Sequence, residues 1–191
     1  MKQCRIEQRE ARVETVIKAA LQVFAREGFH AATLEEIAEL AGVNKAMLYY
    51  YVGNKEQLYE LCLRRKFGKV QAELEAFCEE APRDDGGLAF ALELGRQIGK
   101  RPTFFTLLFR ELAPVAEPVP PVVVELLASL VALMKQHLTA SRRPYLDTLA
   151  VLGIISGIYT QALVDADTPR DYDEELKHTL TTYFHGLTHS D

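Results

Sequence analysis

The chain has 191 residues, of which 48% are hydrophobic and 26% charged, a composition typical of one or two globular domains rather than of a disordered chain. The longest apolar run, residues 149–164, is short and broken by polar residues, and the charged N-terminus has no signal segment, so we expect a cytoplasmic protein with no membrane partner. The net charge of −5 argues against a chain coated in nucleic acid. Residues 1–66 nevertheless carry 11 Lys and Arg against 9 Asp and Glu, which suits an anionic partner there.

Helical periodicity throughout the chain predicts an all-α fold of about nine helices. The first helix is expected over about residues 8–27, where an apolar stripe ends at Gly28. Thr33 and Glu36 then have the spacing of a capping box, in which each side chain can bond the other residue's free backbone N–H. A short second helix should therefore begin at Thr33 and end at Gly42.

A third short helix should follow at once, because Asn44 can cap a helix that runs through about Tyr51. Asn54 and Gln57 can cap a fourth in the same way. Short capped helices joined by a glycine turn over residues 33–55 match a helix-turn-helix, in which the third helix would enter a DNA major groove. Many helical bundles that do not bind DNA contain such a pair, so spacing alone leaves that alternative open.

The rest of the chain is predicted to be helical as well. Helices are expected over about residues 88–98, from Pro102, and over 122–138, 146–166 and 172–187, separated by loops rich in proline and glycine. We predict an N-terminal helix-turn-helix DNA-binding domain over residues 1–55. A helical effector-binding and dimerisation domain is predicted over residues 56–191, with the fourth helix linking the two.

The N-terminal segment also resembles the tetracycline-repressor (TetR) family of bacterial transcription regulators. The resemblance covers about 50 residues, and its pattern is Ala19-Ala20…Phe24-x-x-x-Gly28-Phe29…Thr33-Leu-x-x-Ile37-Ala38-x-x-Ala41-Gly42-Val43-x-Lys45-x-x-Leu48-Tyr49-x-Tyr51…Lys55-x-x-Leu58. It implies a homodimeric repressor with a three-helix DNA-binding head and a helical ligand-binding body. Val52 departs from the pattern, since the family usually has an aromatic residue there.

The resemblance implies contacts between the third helix and an operator of double-stranded DNA. Lys45 would donate to guanine O6 or N7, Tyr49 would face the groove, and a flexible arm carrying Lys2, Arg5 and Arg9 would add further contacts. Tyr51 would lean on the core with its hydroxyl at a phosphate. The DNA-binding residues expected from the resemblance are Thr33, Asn44, Lys45, Ala46, Tyr49, Tyr50, Tyr51 and Lys55.

Two features of the body suggest a homodimer. Gly153, Ser156 and Gly157 lie three and four residues apart, so one face of that helix admits a close neighbour, which could also be a helix of the same chain. The last helix carries an apolar stripe. The expected interface residues are Gly153, Ser156, Gly157, Leu176, Leu180, Tyr183, Phe184 and Leu187.

Aromatic residues crowd the middle of the body and suggest a pocket for an apolar or aromatic effector, although an ordinary core is the alternative for each of them. The expected lining is Phe90, Phe104, Phe105, Leu108, Phe109, Met134, His137 and Tyr159. We find no catalytic motif, metal-ligand spacing or cofactor motif, so we expect no enzyme, metal or cofactor. The alternative function is a helical small-molecule-binding protein or enzyme that does not use the motif for DNA.

Overall fold

The computed structural model describes residues 2–80, 85, 87–112, 119–138, 143–164 and 171–188, and this part of the chain forms nine α-helices. They are α1 (Lys2–Ala31), α2 (Leu34–Ala41), α3 (Lys45–Val52), α4 (Lys55–Glu80), α5 (Leu88–Lys100), α6 (Pro102–Leu112), α7 (Pro121–His137), α8 (Pro144–Val164) and α9 (Tyr172–Thr188). The predicted all-α fold is confirmed. None of the helices in these residues combines the length and apolarity needed to cross a membrane.

The helices fall into two compact units that do not follow chain order. One unit contains Met1–Gly68 and Pro102–Leu126, and the other contains Lys69–Arg101 and Leu127–Asp191. The first unit extends beyond the predicted boundary at residue 55, because it includes the start of α4 as far as Gly68 and because α6 packs against α1.

The core of the first unit is built on α1. Val16, Ile17 and Phe24 on α1 are fully buried, as are Ile37 on α2 and Leu48 on α3. Their burial follows the helical spacing of the apolar residues, which places them on one face of each helix. This packing also determines which face of α3 is exposed to solvent, namely the face opposite Leu48.

The end of α1 is held by α6. Gly28 interrupts the helix with φ 83 and ψ 169, so the predicted stop is present as a kink within α1. The Arg110 guanidinium of α6 donates hydrogen bonds to the backbone oxygens of Arg26 and Glu27, each at 3.1 Å. Carbonyls at a helix C-terminus lack partners within the helix, and a cation there also suits the helix dipole. Arg110 therefore stabilises α1 where the backbone changes direction.

In the second unit, α9 packs against α5 and α8. A Cβ atom at Gly95 would lie 2.2 Å from Leu176 Cδ2, so only glycine allows α5 and α9 to approach this closely. Leu176, Leu180 and Phe184 are at most 4% exposed and form the core of this unit. Their stripe packs onto helices of the same chain, and their role at a dimer interface stays a prediction.

Candidate nucleic-acid interface

Side-chain caps position the two helices of the helix-turn-helix. The Thr33 hydroxyl accepts a hydrogen bond from the Glu36 backbone N–H at 3.2 Å, and Asn44 Oδ1 accepts one from Met47 N–H at 2.7 Å. Between them Gly42 adopts a left-handed conformation with φ 65, and its N–H bonds the end of α2. Both predicted N-caps are present, so local sequence chemistry sets where α3 begins.

The faces of α3 differ sharply in exposure. Leu48 is fully buried and Val52 is 7% exposed, so the smaller residue at 52 still packs inward. Tyr49 is 46% and Tyr50 75% exposed, while Tyr51 is half-buried. Large exposed aromatic rings on a short helix are unusual for a surface with no partner.

Each of the three tyrosines lies beside a cation. Lys45 Nζ lies 5.9 Å from the centroid of the Tyr49 ring, and Arg9 Cζ lies 5.9 Å from that of Tyr50. Arg12 Nη1 donates to the Tyr51 hydroxyl at 3.5 Å. The exposed face of α3 is thus continuous with a basic stretch of α1.

The arginines of α1 do not lie on a flexible arm. The helix already begins at Lys2, so Arg9 and Arg12 are fixed on successive turns. The side chains of Lys2 and Arg5 lie outside the described residues. Sequence reasoning missed Arg12 because its partner Tyr51 is 39 residues away, and only the excess of basic residues at this end gave a signal.

The remaining predicted contact residues lie around this face. Thr33, Asn44, Lys45 and Ala46 are exposed, and Lys45 Nζ is hydrogen-bonded to the Glu35 carboxylate. Lys55 lies at the start of α4, where Asn54 and Gln57 form a reciprocal capping box with bonds of 2.8 and 3.0 Å.

Lys55 is already bound within the unit. Its Nζ donates to the backbone oxygens of His30 and Ala32, both at 3.1 Å, and lies 4.8 Å from the Phe29 ring centroid. An ammonium has three donors, so one is left for the phosphate that we predict it binds. Its contacts also tie the start of α4 to the end of α1.

The residues predicted to form an effector pocket are divided between the units. Phe104, Phe105 and Leu108 are buried in the first unit, with the Phe105 and Phe109 rings 6.1 Å apart. The other predicted residues, Phe90, Met134, His137 and Tyr159, belong to the second unit.

Within the second unit the Phe90 and His137 rings stack at 5.2 Å, and Met134 is fully buried. Tyr159 instead lines an open cavity of about 820 Å³. The cavity is lined by Arg96, Gly99, Lys100, Tyr159, Asp171, Tyr172 and Asp173. Burial first, and Asp173 next, raise the pKa of Tyr159 to about 12, so its hydroxyl stays protonated at neutral pH. In the described residues no three His, Cys, Asp or Glu side chains are grouped to hold a metal ion.

The small residues of α8 face outward. Gly153 and Gly157 are exposed, and a Cβ atom at either would meet nothing within 4 Å. Leu146 and Leu149, about half exposed, continue the same stripe along α8. The remaining interface candidates, Ser156, Tyr183 and Leu187, are half-buried. Among the described residues, nothing therefore packs on this stripe at its two glycines.

The sequence has relatives among known regulators. The profile of the family described as "Bacterial regulatory proteins, tetR family" matches residues 16–62. The HTH-type transcriptional regulator RutR of Escherichia coli K12 is 46% identical over 70 residues, which is 37% of this chain and 33% of RutR. The HTH-type transcriptional repressor NicS of Pseudomonas putida is 37% identical over 73 residues, 37% of this chain and 34% of NicS. The matches thus span about a third of each relative.

Solved structures resemble the whole fold. FadR from Bacillus halodurans, a fatty acid degradation regulator, matches with a TM-score of 0.72 and 19% identity over 93% of this chain and 98% of FadR. FadR from Bacillus subtilis, solved in complex with stearoyl-CoA, matches with the same values. These likenesses concern the fold. The N-terminal match confirms the resemblance found in the sequence: residues 16–62 match the TetR family of bacterial regulatory proteins, and the fold of the chain resembles that of FadR.

Proposed function

We propose that this protein is a DNA-binding transcriptional regulator and that α3 is its recognition helix. The observation that carries the proposal is the exposed face of α3, where Lys45, Tyr49 and Tyr50 project from a helix whose back, at Leu48 and Val52, is buried. A helix of this kind fits a major groove of about 12 Å, in which a lysine can donate to guanine O6 and N7. The match of residues 16–62 to the TetR family supports the same role.

We further propose that two copies associate through α8. Leu146, Leu149, Gly153 and Gly157 form an open stripe on which a second α8 can pack closely. Two recognition helices separated by about 34–36 Å would then enter successive major grooves of a palindromic operator. The second copy is the proposed occupant because binding two half-sites gives the operator affinity that one short helix lacks.

A small effector would release the protein from the operator, which makes it a repressor. The aromatic residues Phe104 and Phe105, both buried within the first unit, support an apolar or aromatic effector. Release requires that the effector bind more tightly to the conformation that does not bind DNA. Stearoyl-CoA, with which FadR of Bacillus subtilis was solved in complex, is one probe with an apolar acyl chain to test; operator affinity that is unchanged at saturating probe would exclude that compound.

The test of DNA binding is a mobility-shift titration with the DNA upstream of the protein's own gene, repeated over a range of salt. Each phosphate contact should contribute a slope of about −0.9 to the plot of log K against log salt. Sequence-specific binding with a slope of several units supports the proposal. Absent or salt-insensitive binding would favour the other candidate, a helical small-molecule-binding protein.

A further inference from the structure

We infer that Glu35 is a specificity-determining residue of the proposed DNA-binding surface, which withholds Lys45 from phosphates and leaves it to bind base edges. The inference rests on the proposed function. The inference goes beyond the proposed function because it assigns a role to an acidic residue. Without that residue, the surface would attract DNA of any sequence.

The geometry joins the two helices of the motif. Glu35 lies in the first turn of α2, Lys45 is the first residue of α3, and the lysine Nζ donates to the Glu35 carboxylate. The hydrogen bond from Lys45 lowers the pKa of Glu35, and the same bond raises the pKa of Lys45. Both groups are therefore charged at neutral pH.

The pair is not needed for packing. The side chains of Glu35 and Lys45 are 60% and 50% exposed, and the cap of α2 is supplied by Thr33. Exposed ion pairs contribute little to stability. Glu35 can therefore be changed without loss of the fold, which makes its effect on binding measurable.

The chemistry of a paired lysine differs from that of a free one. A free lysine releases a counterion when it meets any phosphate, so its contribution is independent of sequence. A lysine bonded to a carboxylate carries no net charge as a pair and gains little from a phosphate, which the carboxylate also repels. Its other N–H groups can still donate to guanine O6 or N7, so Lys45 adds affinity only where the correct base is present.

The test compares Glu35→Gln with Glu39→Gln. Glu39 is exposed one turn further along the same helix, so both variants change the net charge equally. Binding is titrated against salt with two duplexes, one of arbitrary sequence and one that the wild type enriches from a random pool. For the arbitrary duplex, Glu35→Gln should steepen the salt slope by about 0.9 and raise affinity about eightfold at 0.1 M salt for each recognition helix that is bound.

Glu35→Gln should raise affinity for the enriched duplex less than for the arbitrary one, so discrimination between the two duplexes falls. Glu39→Gln should leave this discrimination near the wild-type value. Adding Lys45→Gln to Glu35→Gln should abolish the gain. Equal behaviour of the two glutamine variants, an equal gain on both duplexes, or a gain that survives without Lys45 would each overturn the inference. If the wild type enriches no duplex, the proposed function fails instead, and the arbitrary duplex still tests the pairing of Lys45.

Discussion

Replacing Gly28 with alanine tests how the end of α1 is held. Gly28 has φ 83 and ψ 169, a region that is essentially restricted to glycine, and any other residue there costs about 1–3 kcal/mol. The added Cβ would also lie 2.8 Å from Arg110 Nη2 and 3.1 Å from its Cζ. The substitution therefore strains the backbone and displaces the guanidinium that caps the helix.

Displacing the Arg110 guanidinium should cost less free energy of unfolding than the backbone strain at Gly28. Arg110 is exposed and flexible, so it can move away from the new methyl group, but it then loses its hydrogen bonds to two or three carbonyls of α1. Because water then hydrates the freed groups, the loss of these hydrogen bonds costs only about 1 kcal/mol. The total of about 2–4 kcal/mol corresponds to a fall in Tm of roughly 4–16 °C for a chain of this size.

The assay is thermal and urea unfolding followed by circular dichroism. Gly68→Ala is the matched control, because Gly68 lies within helix α4 and an added Cβ meets nothing within 4 Å. It should stabilise the helix by up to about 1 kcal/mol. In an Arg110→Met background, Gly28→Ala should cost only the backbone part. If Gly28→Ala unfolds at the wild-type temperature, the assignment of strain at Gly28 is wrong.

Three further predictions concern the cap, the dimer and a thiol. Asn44→Ala should cost about 1 kcal/mol in urea unfolding and weaken operator binding, because it removes the N-cap of α3; unchanged stability would contradict the cap. Gly157→Arg should convert the proposed dimer to monomer in sedimentation, whereas Gly68→Arg should not; a Gly157→Arg dimer would refute the proposed α8 interface. Burial raises the pKa of Cys62 to about 12, so iodoacetamide at pH 8 should modify it about a thousandfold more slowly than in urea, and rapid native labelling would contradict this.

The parts of the fold that the sequence predicted are local. The caps at Thr33, Asn44 and Asn54 depend on a side chain and a backbone group three residues apart, so they can be recognised without knowledge of the packing. The inward direction of Leu48 follows from helical spacing in the same way. The sequence alone therefore predicts helix α3 and most of the residues on its exposed face.

The features that the sequence did not predict are contacts between distant segments. The stripe on α9 indicated that Leu176 and Phe184 face another helix, but not that the helix belongs to the same chain. The packing of α9 onto α5 depends on Gly95, about 80 residues earlier, where the missing side chain leaves room for Leu176. The contact of Arg110 with the end of α1 likewise places α6 in the first unit, and no short-range pattern announces it.

The exposed tyrosines of α3 are best understood through their cations. A guanidinium or ammonium beside an aromatic ring is attracted to it and still has N–H donors for a contact with DNA. Arg9 against Tyr50, and Arg12 on the Tyr51 hydroxyl, come from α1, whereas Lys45 and Tyr49 lie on α3 itself. The rings therefore orient cations from two helices toward one surface, so that removal of the Tyr50 ring should weaken binding largely through Arg9. The role of α1 in the proposed interface is thus set by the aromatic residues of α3.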